Sequence, residues 1–177
     1  MKQVKVTSLG LDKSSNTPVV ILQEADGDRV LPIWIGPGEA SAIAMELAGM
    51  KFSRPLTHDL FTSMLQGLGS QLQRVIITKV VENTYHAQLI LQRDGEGDMI
   101  SIDARPSDSI AIALRAKAPI FAQDELLEQA AIEIQQADFE SGLPDTGATE
   151  DVPGMDPDQL KEYLKNMNPE DFGRFNP

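Results

Sequence analysis

Two stretches of the chain, 69 residues apart, carry the same folding instruction. A turn containing Gly27-Asp28, and again Gly97-Asp98, leads into a short apolar strand, and each strand leads into a helix that begins on proline. Shifted by 69, Pro37, Glu39, Ala42, Ile43, Ala44 and Met45 fall on Pro106, Asp108, Ala111, Ile112, Ala113 and Leu114. Proline suits a first helical turn, where its missing N–H would have had no partner, and a carboxylate there is favoured by the helix dipole. A diverged duplication and two independent proline-first helix starts would both produce this match. Either way the chain lays down the same order of elements twice, and two copies at so long a period do not make a solenoid.

The elements between these anchors come from local pattern. In the first half, Val4 to Leu9, Val19 to Leu22 and Val30 to Ile35 read as strands. Turns at Ser14-Ser15-Asn16 and Asp26-Gly27-Asp28 separate them, and Pro32 favours a sheet edge or the beginning of its strand. A helix runs from Pro37 towards Gly49, which is suited to stop it. A second helix begins after Arg54-Pro55-Leu56, with Thr57 as its expected N-cap and Leu60, Phe61, Met64 and Leu65 on its apolar face. In the second half, Val75 to Val81, Ala87 to Leu91 and Met99 to Ala104 read as strands, and helices begin at Pro106 and Asp124. Strands joined by hairpins and grouped before helices predict an α+β fold. The expected sheet is mixed or largely antiparallel, built from two strand-strand-strand-helix units with the helices packed on it.

Charge divides the chain unevenly. The 177 residues carry a net charge of −12 and no cysteine, so neither a disulfide framework nor a thiolate chemistry is open to it. Residues 138–177 hold 10 acids and 3 bases, net −7, and residues 1–137 hold 17 acids and 12 bases, net −5. The expected organisation is one domain over 1–137, then a flexible acidic linker with a short C-terminal helix. That helix starts at Asp156-Pro157 and carries Leu160, Tyr163 and Leu164 on one face. It is too short to be stable alone in water, so the expectation is that it is either disordered or docked, on a protein partner for instance. A mildly acidic body argues against durable coating of nucleic acid, which needs many Lys/Arg–phosphate contacts, but leaves room for a local site that holds one phosphate briefly. No apolar run approaches the roughly 18 residues of a membrane span, and the expectation is a cytoplasmic protein with no membrane partner.

Two clusters carry the residue types of phosphate chemistry. One is Arg54-Pro55-Leu56-Thr57-His58-Asp59 and the other Asp103-Ala104-Arg105-Pro106-Ser107-Asp108-Ser109, each at a helix start. A helix N-terminus offers free amides and a positive dipole end to an anion, and an adjacent arginine grips phosphate oxygens as a fork. Arg54, Thr57, Arg105 and Ser107 are therefore the expected phosphate-binding residues. Histidine titrates nearest neutrality of all side chains, so His58 is the expected proton-transfer group, with Asp59, Asp103 and Asp108 as its catalytic companions. Asp103 and Asp108 would be the ligands if Mg²⁺ takes part, since hard carboxylate oxygens suit that ion. The plainer reading is that Thr57 and Ser107 cap helices and that the acids sit in first turns or pair with arginines. The chain has no phosphate-binding Gly-Lys-Ser/Thr loop, no nucleophile elbow and no His-Glu-x-x-His.

At these clusters the sequence resembles the bifunctional nuclease domain family. The resemblance rests on Leu31-Pro32-Ile33-Trp34-Ile35-Gly36 with Glu39-Ala40, on Arg54 to Asp59, and on Asp103 to Ala111. It covers roughly residues 1–135 and implies a compact α+β domain, self-association into a homo-oligomer, and nuclease activity on DNA and RNA. Nucleic acid would then be a transient substrate, hydrolysed with little sequence preference. The alternative is a non-catalytic oligomeric regulatory or scaffold module that binds an anion at the helix N-termini.

Overall fold

The computed structural model describes residues 1–12, 15–93, 95 and 97–133, so the acidic segment 138–177 lies outside the described residues. Three strands come first: β1 (Lys2–Asp12), β2 (Thr17–Glu24) and β3 (Arg29–Trp34). Helices α1 (Pro37–Leu47) and α2 (Thr57–Gly67) come next. Three more strands, β4 (Ser70–Val81), β5 (Thr84–Arg93) and β6 (Met99–Ala104), lead to α3 (Pro106–Ala116). The last elements are β7 (Ile120–Ala122), α4 (Asp124–Ala130) and β8 (Ile132–Glu133).

The two meanders are antiparallel, as adjacent strands joined by tight turns must be. They form one eight-stranded sheet in the order β6-β5-β4-β7-β1-β2-β3-β8. Strand β7 joins them, running parallel to β4 and antiparallel to β1. With one parallel pairing among antiparallel ones, the sheet is mixed and the fold is α+β. Strands β7 and β8, of three and two residues, are not legible in the sequence because alternation cannot show over so few positions. Pro32 fits its edge position: β8 pairs only with Arg29 and Val30 of β3, so the proline ring faces no missing ladder bond on that side.

Register explains the core. Val20 pairs with Ile33 and Leu22 with Leu31, while Val75 pairs with both Leu89 and Ile120. Because side chains alternate across a strand, these residues share one face. Ile43 of α1, Ile110 to Ala113 of α3, and Leu126 and Leu127 of α4 join them in a single cluster, against which Phe61 and Leu65 of α2 also pack. Helix α3 is the centre of the helical layer: it contacts α1, α2, β4 and β5. Gly49 ends α1 as expected, at φ +64°, its N–H bonded to the Glu46 carbonyl. Trp34 is half exposed, and its indole N–H donates to Asp12 at 2.9 Å.

Candidate functional site

Helix α3 packs against both α1 and α2, and this brings three helix starts to one place. Each start contributes a charged residue in its first turn: Glu39 from α1, Asp59 from α2 and Asp108 from α3. Arg105, the N-cap residue of α3, links two of them. Its Nε and Nη2 donate to the two oxygens of Asp108 at 2.7 and 3.1 Å, and its Nη1 donates to Glu39 Oε1 at 2.9 Å. Asp108 Oδ1 also lies 3.4 Å from His58 Nε2, so α2 and α3 meet through one carboxylate. The two sequence clusters, 50 residues apart at this contact, thus form a single array of Glu39, Arg105, Asp108 and His58.

Burial alone would raise the pKa of Asp108. The hydrogen bonds and charges of Arg105 and His58 outweigh it and hold the carboxyl below its ordinary value, so it is ionised at neutral pH. The same carboxylate, together with Glu39, raises the pKa of Arg105. Asp59 behaves like Asp108: burial pushes its pKa up, but the Leu56 N–H and the Arg115 guanidinium pull it below the usual value.

Asp59 works on α2 itself. One oxygen accepts the Leu56 N–H at 2.9 Å and the other accepts Arg115 Nε at 2.6 Å. The expected cap, Thr57, is instead the first residue of the helix and is exposed, and the N-cap position is Leu56. Leucine has no side-chain acceptor, and the Asp59 carboxylate at the third helical position reaches back to the amide of the N-cap residue, which is one half of a capping box. Ser107 is not a cap either: it is buried in the first turn of α3, behind the N-cap Arg105.

Asp103 stands apart from the array. On β6 it pairs with Gln88, while its neighbour Ala104 pairs with Ala87 of the core. Alternation then projects Asp103 from the face of the sheet opposite the helices. Asp103 and Asp108 therefore do not converge on a common ion, and Asp108 and Glu39 are already bridged by Arg105. Among the described residues no group of three or more His, Asp or Glu side chains is placed to hold a metal. The donor set does not fit a Mg²⁺ centre. Arg54 is exposed in the turn before α2 and has no ion-pair partner among the described residues.

Sequence reasoning passes over two contributors. It reads Glu39 only as a dipole-favoured acid, although its alignment with Asp108 is the signal that both face the same junction. It misses Arg115 altogether. The Arg115 side chain is only 6% exposed, and besides Asp59 it serves the carbonyls of Ala111 at 2.9 Å and Ala42 at 3.1 Å. One guanidinium thereby ties α1, α2 and α3 together. Its position seven residues after Asp108, two turns along the same helix face, is the clue available.

A mixed sheet bearing a helical layer, with an ion-paired array at converging helix starts, defines an α+β domain. Comparison with known proteins gives that class its family. The family model of the bifunctional nuclease domain matches residues 20–135, and the chain belongs to that family. An uncharacterised protein of Mycobacterium tuberculosis is 41% identical over 172 residues, covering 97% of this chain and 98% of its own length. Bifunctional nuclease 1 of Arabidopsis thaliana is 32% identical over 105 residues, which is 58% of this chain and 32% of the plant protein. Bifunctional nuclease 1 of Oryza sativa subsp. japonica is 31% identical over 110 residues, 62% of this chain and 33% of its own. No helix among the described residues is long and apolar enough to cross a membrane.

Proposed function

We propose that the chain is a nuclease that hydrolyses phosphodiester bonds of DNA and RNA with little sequence preference, at the junction of the three helix starts. The observation that carries this reading is the shared carboxylate: Asp108 holds both the guanidinium of Arg105 and the imidazole of His58. A guanidinium has five N–H donors, and three bonds to Asp108 and Glu39 leave two for phosphate oxygens. Arg105 is 66% exposed and so remains within reach of a polymer that cannot enter a closed pocket.

The roles come from the contacts. With Asp108 ionised, the His58 Nε2 of that contact carries a hydrogen, and Nδ1 is left to accept the proton of the attacking water. Asp108 fixes the ring and offsets the charge it gains. Arg105 clamps the phosphate and stabilises the charge that develops on it, with Arg54, unpaired among the described residues, and the exposed Thr57 as further contacts. Asp59 holds the start of α2 in place rather than touching substrate, and Ser107 is buried. No step is assigned to a metal ion or to Asp103. The reading carries with it self-association of the chain and a cytoplasmic setting.

The test is incubation of the purified full chain with labelled single- and double-stranded DNA and RNA, with and without Mg²⁺. Cleavage that falls in His58→Ala and Arg105→Ala proteins of unchanged melting temperature supports the site and excludes a contaminating nuclease. Normal cleavage by a folded His58→Ala protein overturns it. Phosphate binding without cleavage of any substrate would favour the anion-binding module instead, a reading that the acidic body also suits.

A further inference from the structure

The four described helices all send apolar residues into one core cluster, and so lie on one face of the sheet. Strand register assigns residues to the other face. Ala87, Leu89 and Leu91 of β5 belong to the core, so His86, Gln88 and Ile90 point away from it, as do their partners Lys79, Ile76 and Arg74 on β4. Phe121 of β7 stands beside Ile76 on the same side. Lys79 is exposed, while His86 and Phe121 are half-buried. Neither Lys79 nor the His86 ring has a hydrogen-bond or ion-pair partner among the described residues. Arg74 is half-buried and also lacks one, and its Nε is shut off from solvent. A cationic donor left unmade in this way is costly, and an anion drawn onto the guanidinium relieves it.

This face leads into the candidate site. Ala104 pairs with Ala87, so the next residue, Arg105, still extended at φ −70° and ψ 146°, comes level with His86. Lys79, His86 and Arg105 thus form one row across β4, β5 and the end of β6, about 10 Å from first to last at about 4.8 Å per strand. Arg74 lies four residues further along the ladder, about 14 Å from Lys79, and Phe121 stands at a level between the two.

We propose that a single strand of nucleic acid lies along this face on its way to Arg105, with phosphates on Arg74 and on the row from Lys79 to Arg105 and a base stacked on Phe121. The inference rests on the nuclease reading for what happens at Arg105, and adds the surface that presents the strand to it. Cations that follow a backbone beside an aromatic platform hold single strands without sequence preference, whereas a duplex keeps its bases paired and gains nothing from Phe121. Charge is complementary here although the chain is net −12: Arg74, Lys79 and Arg105 stand against Asp103 on β6 and Glu82 in the β4–β5 turn. So few contacts make binding weak and quickly reversed, which suits a mildly acidic body.

The test separates holding from cutting in the full-length protein. Fluorescence anisotropy of a labelled phosphorothioate oligothymidylate, which resists cleavage, reads binding. Hydrolysis of bis(4-nitrophenyl) phosphate, too small to reach beyond Arg105, reads the reaction. Lys79→Gln, at an exposed position, should weaken strand binding about fivefold at about 0.1 M salt and flatten the plot of log affinity against log salt by about 0.7, the amount for one phosphate contact on a single strand. Adding Arg74→Gln should bring these to about 25-fold and about 1.4. Asp103→Asn should tighten binding, and a duplex of equal length should bind more weakly than the single strand. Melting temperature and hydrolysis of the small diester should be unchanged in Lys79→Gln. The control is Lys117→Asn, which removes an exposed charge at the other end of α3 and should leave strand binding as it was. A folded Lys79→Gln protein with unaltered strand affinity and salt slope overturns the proposal. So does an equal loss in Lys117→Asn, which would mean attraction by net charge alone, or equal affinity for the duplex. If strand binding responds as expected while the unaltered protein cleaves neither substrate, the nuclease reading fails and the strand-binding face stands.

Discussion

Strands β3 and β6 occupy the same place in the two meanders and end in opposite surroundings. In β3, Val30, Leu31, Pro32 and Ile33 are buried, whereas Met99 to Asp103 of β6 are all exposed. The register is not the cause, since Ile100 and Ile102 pair with buried Leu91 and Leu89 and face the helical side. The difference comes from the elements that follow the second meander. Helix α4 lays Leu126 and Leu127 into the core beside β3, and β8 extends that edge, while nothing equivalent is left in the described chain for β6.

The helix starts diverge in the same way. Under the 69-residue shift Glu39 matches Asp108, Gly36 matches Arg105, and Glu46 matches Arg115. The acid is kept in the first pair, while the second stretch has an arginine where the first has a glycine and again where it has a glutamate. Gly36 also makes room: a Cβ there would come within 2.3 Å of the Glu39 carboxylate that Arg105 holds. The same order of elements thus carries different charges at matching positions, and the array is asymmetric.

The largest expected effect tests the covered edge. Leu127→Ala should destabilise the protein by about 2–5 kcal/mol in urea unfolding, the range for a large buried aliphatic, and Ile102→Ala by less than about 1 kcal/mol. Equal losses would show that β6 is covered in solution and that the two edges do not differ.

Next comes the tie between helices. Arg115→Met should cost about 2–3 kcal/mol, less than a fully buried pair because Asp59 is 33% exposed. A loss below about 1 kcal/mol would mean that the three helices hold together without it. Arg105→Ala should change stability little, its side chain being largely exposed, yet slow cleavage about 10- to 150-fold, as loss of a charged contact worth roughly 1.5–3 kcal/mol in the transition state implies. Gly36→Ala should act more weakly than either. The carboxylate it displaces is the free end of a flexible side chain, so a rate loss under about tenfold with near-normal stability is expected, and no loss at all would remove Glu39 from the array.

The smallest effect is on pH dependence. Asp59 and Asp108 titrate below their ordinary values in the fold, so their stabilisation is fully present above about pH 4–5 and is lost as pH falls through the lowered folded pKa values. Asp59→Asn should therefore flatten the acid limb of the stability curve below about pH 4. A limb as steep as that of the unaltered protein would place the acid sensitivity elsewhere, with the Glu24–Arg29 pair as the next group to test.

Much of the fold is legible because its signals are local. Asp26-Gly27, Pro37, Gly49 and Pro106 act through their own dihedrals and hydrogen bonds, and the alternation of β2 and β5 records their half-buried faces. Six strands and the starts of four helices emerge from such signals. The candidate site is half legible. His58, Arg105 and Asp108 announce their chemistry by residue type, but Asp103, equally promising by type, is turned to the far face by a one-residue step along β6.

By itself, then, the sequence determined the element order, its repetition and the residue types at each helix start, since propensity, capping and turn chemistry operate within a few residues. Only the tertiary structure decided that β7, three residues long, joins the two meanders, that β3 is covered and β6 is open, and that Asp59 pairs with Arg115 across 56 residues. Those outcomes depend on which surfaces meet after the chain has turned back on itself. Close packing around α3 selects those meetings, and no local periodicity records them.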